Sequence, residues 1–273
     1  FSPYLFLFSL PSVCIRIMTI HDLIPLKHPE LFETARFSFR FLHTLSSSLK
    51  KCVKRADYVL TVSHASQKDL IHYLGISPEI IQVVHLGTHF EKTTHPKELL
   101  SPYGISANQR YILCVSHHLL HKDLMTLVKA YSALPERILD IYTLVLVGKK
   151  DAYYTPLLEA EIKRRHLSAK VIMTGTVSTQ ELSAFYQWSS LFVFPSLDEG
   201  FGLPVIEAMS YGIPVIASRA GSLPEIVGEA GVLFPVMNSP ELATHITNIL
   251  EDEREQKRLG MLGLIKANQL TWN

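Results

Sequence analysis

Short apolar runs alternate with amphipathic stretches along most of this chain, and that alternation limits the folds open to it. From Tyr111 onward the runs are "YILCVS" (111–116), "TLVLVG" (143–148), "KVIMTG" (170–175), "LFVFPS" (191–196), "PVIAS" (214–218) and "GVLFP" (231–235). The stretches between them carry helical periodicity, starting near residues 122, 153, 178 and 204, and two helical stretches close the chain. Apolar runs of this length, separated by helices, predict strands buried on both faces in βαβ units, and so a parallel sheet.

A shorter series precedes it. "IRIMTI" (15–20), "YVLTV" (58–62) and "IIQVVHLG" (80–87) read as strands, with helices over about 33–54 and 64–74. The polar, proline-containing stretch "THFEKTTHPKELLSPYGISANQR" (88–110) divides the two series. The expectation is α/β: two Rossmann-like doubly wound domains, 1–95 and 96–273, the first incomplete. The opening "FSPYLFLFSLPSVCI" (1–15) lacks a basic leading region, and Pro3, Pro11 and Arg16 interrupt any spanning helix, so it reads as a buried strand and loop. A chain that opens on Phe1 and closes on "LTWN" reads as a piece of a longer protein.

Charge and cysteines narrow the function. A formal net charge of +1 argues against a general nucleic-acid binder, which needs a concentrated basic surface. Cys14, Cys52 and Cys114 are widely spaced and odd in number, so neither a disulfide framework nor a CxxC metal pair is expected, and a reducing, cytoplasmic setting is the simpler reading.

The stretch "DEGFGLPVIEAM" (198–209) carries the chemistry. It follows the strand "LFVFP", at the carboxyl end where open α/β sheets bind ligands. Gly200 and Gly202 let backbone N–H groups approach a ligand, Pro204 suits a helix start, and Gly212 suits its stop. The helix start offers unpaired donors and partial positive charge, which together suit an anion, most naturally phosphate. Val205 stands where a dinucleotide fingerprint needs its third glycine. Glu199 precedes the anion site and Glu207 lies about one helical turn beyond it, tilted back toward the helix start. Each carboxylate can accept from hydroxyls flanking a phosphate, which is the layout of a nucleotide sugar. On this stretch alone, an exposed Glu199 and a Glu207 that merely complements the helix dipole remain open alternatives.

"FVFPSLDEGFGLPVIEAMSYGIPVIAS" resembles the Glu-x7-Glu signature of the retaining GT-B glycosyltransferases of the large family-four group, and the likeness continues in "GSLPEIVGEAGVLF" (221–234) and "TGTVSTQELSAFY" (174–186). Upstream, "TIHDLIPLKHPELF" (19–32) and "ADYVLTVSHASQKDL" (56–70) resemble the acceptor-side domain of the mannosyltransferase-like members. The resemblance implies two domains with parallel sheets facing across a cleft, and roughly a hundred residues before Phe1 with a short helix after Asn273. It implies transfer of a sugar from a nucleotide-sugar donor, with GDP-mannose the first to test, to a glycan or lipid-linked acceptor, without a metal. Peripheral membrane association would run through the acceptor domain. Glu199 would contact the transferred sugar, Glu207 the ribose, and residues Gly200, Phe201, Gly202 and Leu203 the diphosphate. Lys122 would neutralise the leaving group, Thr176 and Val177 would receive the base, and His21 would face the donor sugar. Ser116 and His121 join the donor-binding set.

Bland readings stand beside these. Lys122 can be a solvated charge at a helix start, His21 a satisfied strand-end histidine, and 175–177 an ordinary turn. Asp22 suits a turn cap, and Ser63 and Ser66 suit helix caps. The family usually has Arg-Lys-Asn where this chain has His121-Lys122-Asp123, a glycine near Ser116, and Asp where His89 stands. His117 and His121 would form a metal-ligand pair only if helical. A non-catalytic nucleotide-sugar-binding module and another GT-B enzyme, such as a nucleotide-sugar epimerase, are the rival functions.

Overall fold

A computed structural model describes residues 15–32, 47–88 and 94–272. The opening apolar segment, most of the 33–54 helix and His89 lie outside them. The chain forms two compact units, Phe1–Leu86 with Asp198–Phe201, and Gly87–Leu197 with Gly202–Asn273. The second unit begins at Gly87 because that stretch is already tied into it: Thr88 N–H donates to the Leu270 carbonyl at 3.0 Å and Thr88 bridges Thr271.

The first unit holds three parallel strands in the order β1-β2-β3: Ile17–Thr19, Tyr58–Thr61 and Ile81–Val83. The expected strands are present but shorter, and Ile17 and Tyr58 on them are exposed. Its core gathers Ile20, Leu23, Leu49, Val59, Leu70 and Ile81. The helix His64–Leu74 matches its expected bounds. Ser63 caps it by accepting from the Ser66 N–H at 3.0 Å, and left-handed Gly75 ends it. Asp22 takes its expected part too, accepting from the Ile24 N–H at 3.0 Å in the turn after β1.

The second unit has a six-stranded sheet in the order β6-β5-β4-β7-β8-β9. These strands are β4 Arg110–Val115, β5 Tyr142–Val147, β6 Val171–Gly175, β7 Leu191–Phe194, β8 Val215–Ser218 and β9 Val232–Phe234. Every pairing among these six strands is parallel. β5, β7 and β8 are buried along their whole length, as near-continuous apolar strands covered on both faces should be. The chain winds outward from β4 to β6, then returns beside β4 as β7 and winds the other way. The strand order therefore reverses between β4 and β7, and an open parallel sheet has its ligand crevice at the carboxyl ends of such a pair.

Among the described residues no helix is long and apolar enough to cross a membrane. Cys52 and Cys114 are free thiols.

Candidate functional site

The β7 side of the reversal begins with Phe194, the end of a fully buried strand. The chain turns through 195–202, and the helix Leu203–Ser210 starts with Leu203 at its first position and Pro204 at its second, one residue earlier than the sequence pattern suggests. Gly202 is the N-cap, left-handed at φ 99°, and no side chain caps this end. A Cβ at Gly202 would also lie 2.8 Å from Leu223 Cδ2. Glycine thus meets a backbone requirement here and leaves the helix start without a capping oxygen, which is what an anion-binding terminus needs.

Gly200 differs. A Cβ there would lie 2.9 Å from Asp22 Cβ and 3.2 Å from the His21 carbonyl oxygen, within the first unit. Its missing side chain makes room for the protein's own turn after β1. That turn leaves His21 exposed. Sequence reasoning missed what holds this segment. The Asp198 carboxylate, 2% exposed, pairs with Lys27 Nζ at 2.6 Å and His28 Nε2 at 3.1 Å, while its other oxygen accepts from the Glu199 N–H at 2.9 Å. Lys27 also reaches Asp69 at 2.8 Å. Burial alone would lower the Lys27 ammonium, but its bonds to Asp198 and Asp69 outweigh burial and leave its pKa raised. Asp198 directly precedes Glu199, and a second acid two residues before Gly200 was the available signal. Glu199 itself is half-buried.

On the β4 side, Ser116 follows the strand. Its N–H donates to the Val147 carbonyl at 2.9 Å, and its buried Oγ has no hydrogen-bond partner among the described residues. A buried hydroxyl without a partner at a sheet's carboxyl edge suits a ligand's polar atom. His121 and Lys122 sit in the 3-10 turn Leu120–Lys122. The Leu197 N–H donates to the His121 carbonyl at 2.7 Å, so this turn is fastened to the loop after β7. Lys122 Nζ lies 5.7 Å from the centroid of the Phe194 ring. The structure therefore brings Ser116, His121 and Lys122 to the end of β7, where the Gly202 helix begins.

The histidine-pair reading needs correction. Residues 116–119 are not helical, so His117 and His121 do not stand one turn apart on a helix. The buried histidine of this run is His118, whose Nδ1 lies 3.1 Å from Thr155 Oγ1. Burial, with the nearby Lys150, lowers its pKa.

Glu207 is the fifth residue of its helix, and its Oε2 accepts from the Tyr186 hydroxyl at 2.7 Å. Burial raises the Glu207 carboxyl above its ordinary range, with the Tyr186 bond acting against that rise. Thr176 and Val177 follow β6, Thr176 exposed and Val177 half-buried. Their turn ends in a capping box, in which Ser178 accepts from the Glu181 N–H and Glu181 accepts from the Ser178 N–H.

Residues 97–263, more than half of the chain, match the family model described as glycosyl transferases group 1. The chain belongs to that family. Among curated relatives it is similar to the O-antigen chain mannosyltransferase RfbU of Salmonella typhimurium, 31% identical over 203 residues, covering 74% of this chain and 51% of RfbU. The chain thus spans about half the length of that relative. Among solved structures, sucrose-phosphate synthase from Thermosynechococcus elongatus is 26% identical with a TM-score of 0.79, covering 94% of this chain and 64% of that one. Anabaena HepE in complex with UDP and glucose is 26% identical with a TM-score of 0.78, covering 93% and 67%. The fold of this group 1 chain is of the GT-B type, two α/β units each with a parallel sheet.

Proposed function

We propose that the protein is a retaining glycosyltransferase that moves a sugar, with mannose the first to test, from a nucleotide-sugar donor to a glycan or lipid-linked acceptor. The observation that carries the reading is the uncapped, left-handed Gly202 helix start at the sheet's switch point, with Lys122 held at the end of the same strand. The UDP and glucose bound by HepE support the donor class, and the likeness to RfbU supports mannose.

The chemical problem is charge. The bond between the sugar's anomeric carbon and the diphosphate breaks, and its electron pair leaves with the diphosphate while the ring becomes cation-like. The Lys122 ammonium and the backbone around Gly202 and Leu203 stabilise the departing charge by preorganised electrostatics. Glu199 contacts the transferred sugar, and Glu207 accepts from the ribose hydroxyls. The acceptor hydroxyl attacks the face the leaving group vacates, and its proton passes to a diphosphate oxygen, so the anomeric configuration is retained. His21, exposed after β1, is the first unit's candidate for a part in turnover. The sequence has no Asp-x-Asp motif, and this scheme assigns the diphosphate to the protein's own donors.

A donor module without turnover is the second reading. It is favoured by His121, which stands where the resembled family usually carries a permanent cation. A screen of GDP- and UDP-sugars, reading nucleotide release and the anomer of the product, tests both. Release with a retained anomer is expected. Donor binding without release would favour the module, and an inverted anomer would refute retention.

A further inference from the structure

The Glu207 carboxylate has one hydrogen-bond partner among the described residues, and it lies on a different helix. Tyr186 belongs to the helix Thr179–Gln187 and is 2% exposed. Its ring stacks on Tyr211 at 5.7 Å and 13°, and packs on Phe192 at 5.8 Å. A phenol enclosed in this way cannot turn to water, so its hydroxyl must be satisfied inside the protein, and the acceptor it finds is Glu207 Oε2. The carboxylate in turn loses the freedom of a helix-surface glutamate. One oxygen is fixed on the hydroxyl, and the rigidity of the braced ring passes to the other.

We propose that Tyr186 is the positioning residue for Glu207: it holds one carboxylate oxygen so that the other is aimed at the ribose hydroxyls of the donor. This rests on the reading of Glu207 as the ribose acceptor. Tyr186 touches no ligand in this scheme and acts only through the carboxylate. Packing alone would explain a phenylalanine at 186, whereas the hydroxyl's bond to a half-buried carboxylate has a use at a site that must discriminate by hydrogen bonding.

The test is a double-mutant cycle on the full chain, titrated with UDP and with GDP by calorimetry, using wild type, Tyr186→Phe, Glu207→Ala and the double variant. Tyr186→Phe should weaken the better-bound nucleotide about tenfold. In the Glu207→Ala background the same change should alter Kd by less than about twofold, since the group through which Tyr186 acts is gone. Thermal unfolding of all four chains separates loss of folded protein from loss of affinity. Should Tyr186→Phe not fold, Tyr211→Leu, which removes the ring bracing Tyr186 and leaves its hydroxyl, runs the same cycle with an expected loss of about threefold. Wild-type affinity in Tyr186→Phe, or an equal loss in both backgrounds, would overturn the inference alone. No nucleotide binding by the wild-type chain would overturn the ribose reading and this inference with it.

Discussion

The two helices that follow β4 and β7 both start from a left-handed residue, yet their ends are finished differently. After β4 the residue is Asp123, at φ 45°, and its carboxylate accepts from the Thr126 N–H at 3.3 Å to cap the helix Leu124–Ser132. After β7 it is Gly202, which brings the same sense of backbone turn and no side chain. One terminus is capped by a side chain, and the other is left with its partial positive charge uncapped. A sheet's switch point can thus host two helix starts and give a side-chain cap to only one of them. Within one family of turns, the choice rests on whether the left-handed residue carries an acceptor.

Exchanging the two devices should break that distinction. Gly202→Asp puts a capping carboxylate where the diphosphate is proposed to sit. It should lower nucleoside-diphosphate affinity by about a hundredfold, some 2.7 kcal/mol, through competition for the N–H groups and repulsion. Calorimetric titration measures it, and an unchanged Kd would mean that this helix start binds no anion.

A smaller effect sharpens the picture on either side of Gly202. Glu207→Gln should act mainly on nucleotide affinity and Glu199→Gln mainly on turnover, each by about 1.5–3 kcal/mol, the range for a lost charged hydrogen bond. Parallel measurement of Kd and of sugar-transfer rate separates them. Equal, negligible effects on both parameters would remove the two-sided arrangement.

The β4 junction should respond in stability. Asp123→Ala loses the cap and strains a left-handed position, costing about 0.5–2 kcal/mol, whereas Asp123→Gly should cost only a few tenths. Burial raises the Asp123 carboxyl, with its bond to Thr126 opposing the rise. The sign follows from linkage. The folded state holds that proton more tightly than the unfolded chain does, so ionisation costs stability. The penalty is absent below the unfolded value, near 3.9, and develops as pH rises through the folded value. Asp123→Asn keeps an acceptor and a left-handed preference without the charge. Its advantage over wild type in denaturant melts should therefore appear above about pH 4 and then level off. A constant difference between the two proteins at every pH would contradict the raised carboxyl.

Much of this was legible in the sequence because the signals are local. Apolar runs broken by helical periods predict a parallel sheet whatever the partners, and every predicted strand of the second series appears with small shifts at its ends. Ser63, Asp22, Gly202 and the helix stop at Gly212 follow from backbone chemistry within a few residues. The first series was harder to bound, because its strands are short and partly exposed, and burial on both faces is what makes a strand conspicuous.

The sequence by itself determined the kinds of element, their order, and a glycine-opened helix after one buried strand flanked by two glutamates. Tertiary structure alone decided that β7 returns beside β4, which is why Lys122 is at the end of a strand some seventy residues away in the chain. It also decided that Gly200 makes room for the turn at Asp22, that Asp198 is buried on Lys27 and His28, and that Glu207 bonds to Tyr186. The physical reason is range. Helix starts, caps and apolar periodicity are written within a turn or two of chain, whereas the partner of a buried charge is set by which strands lie side by side.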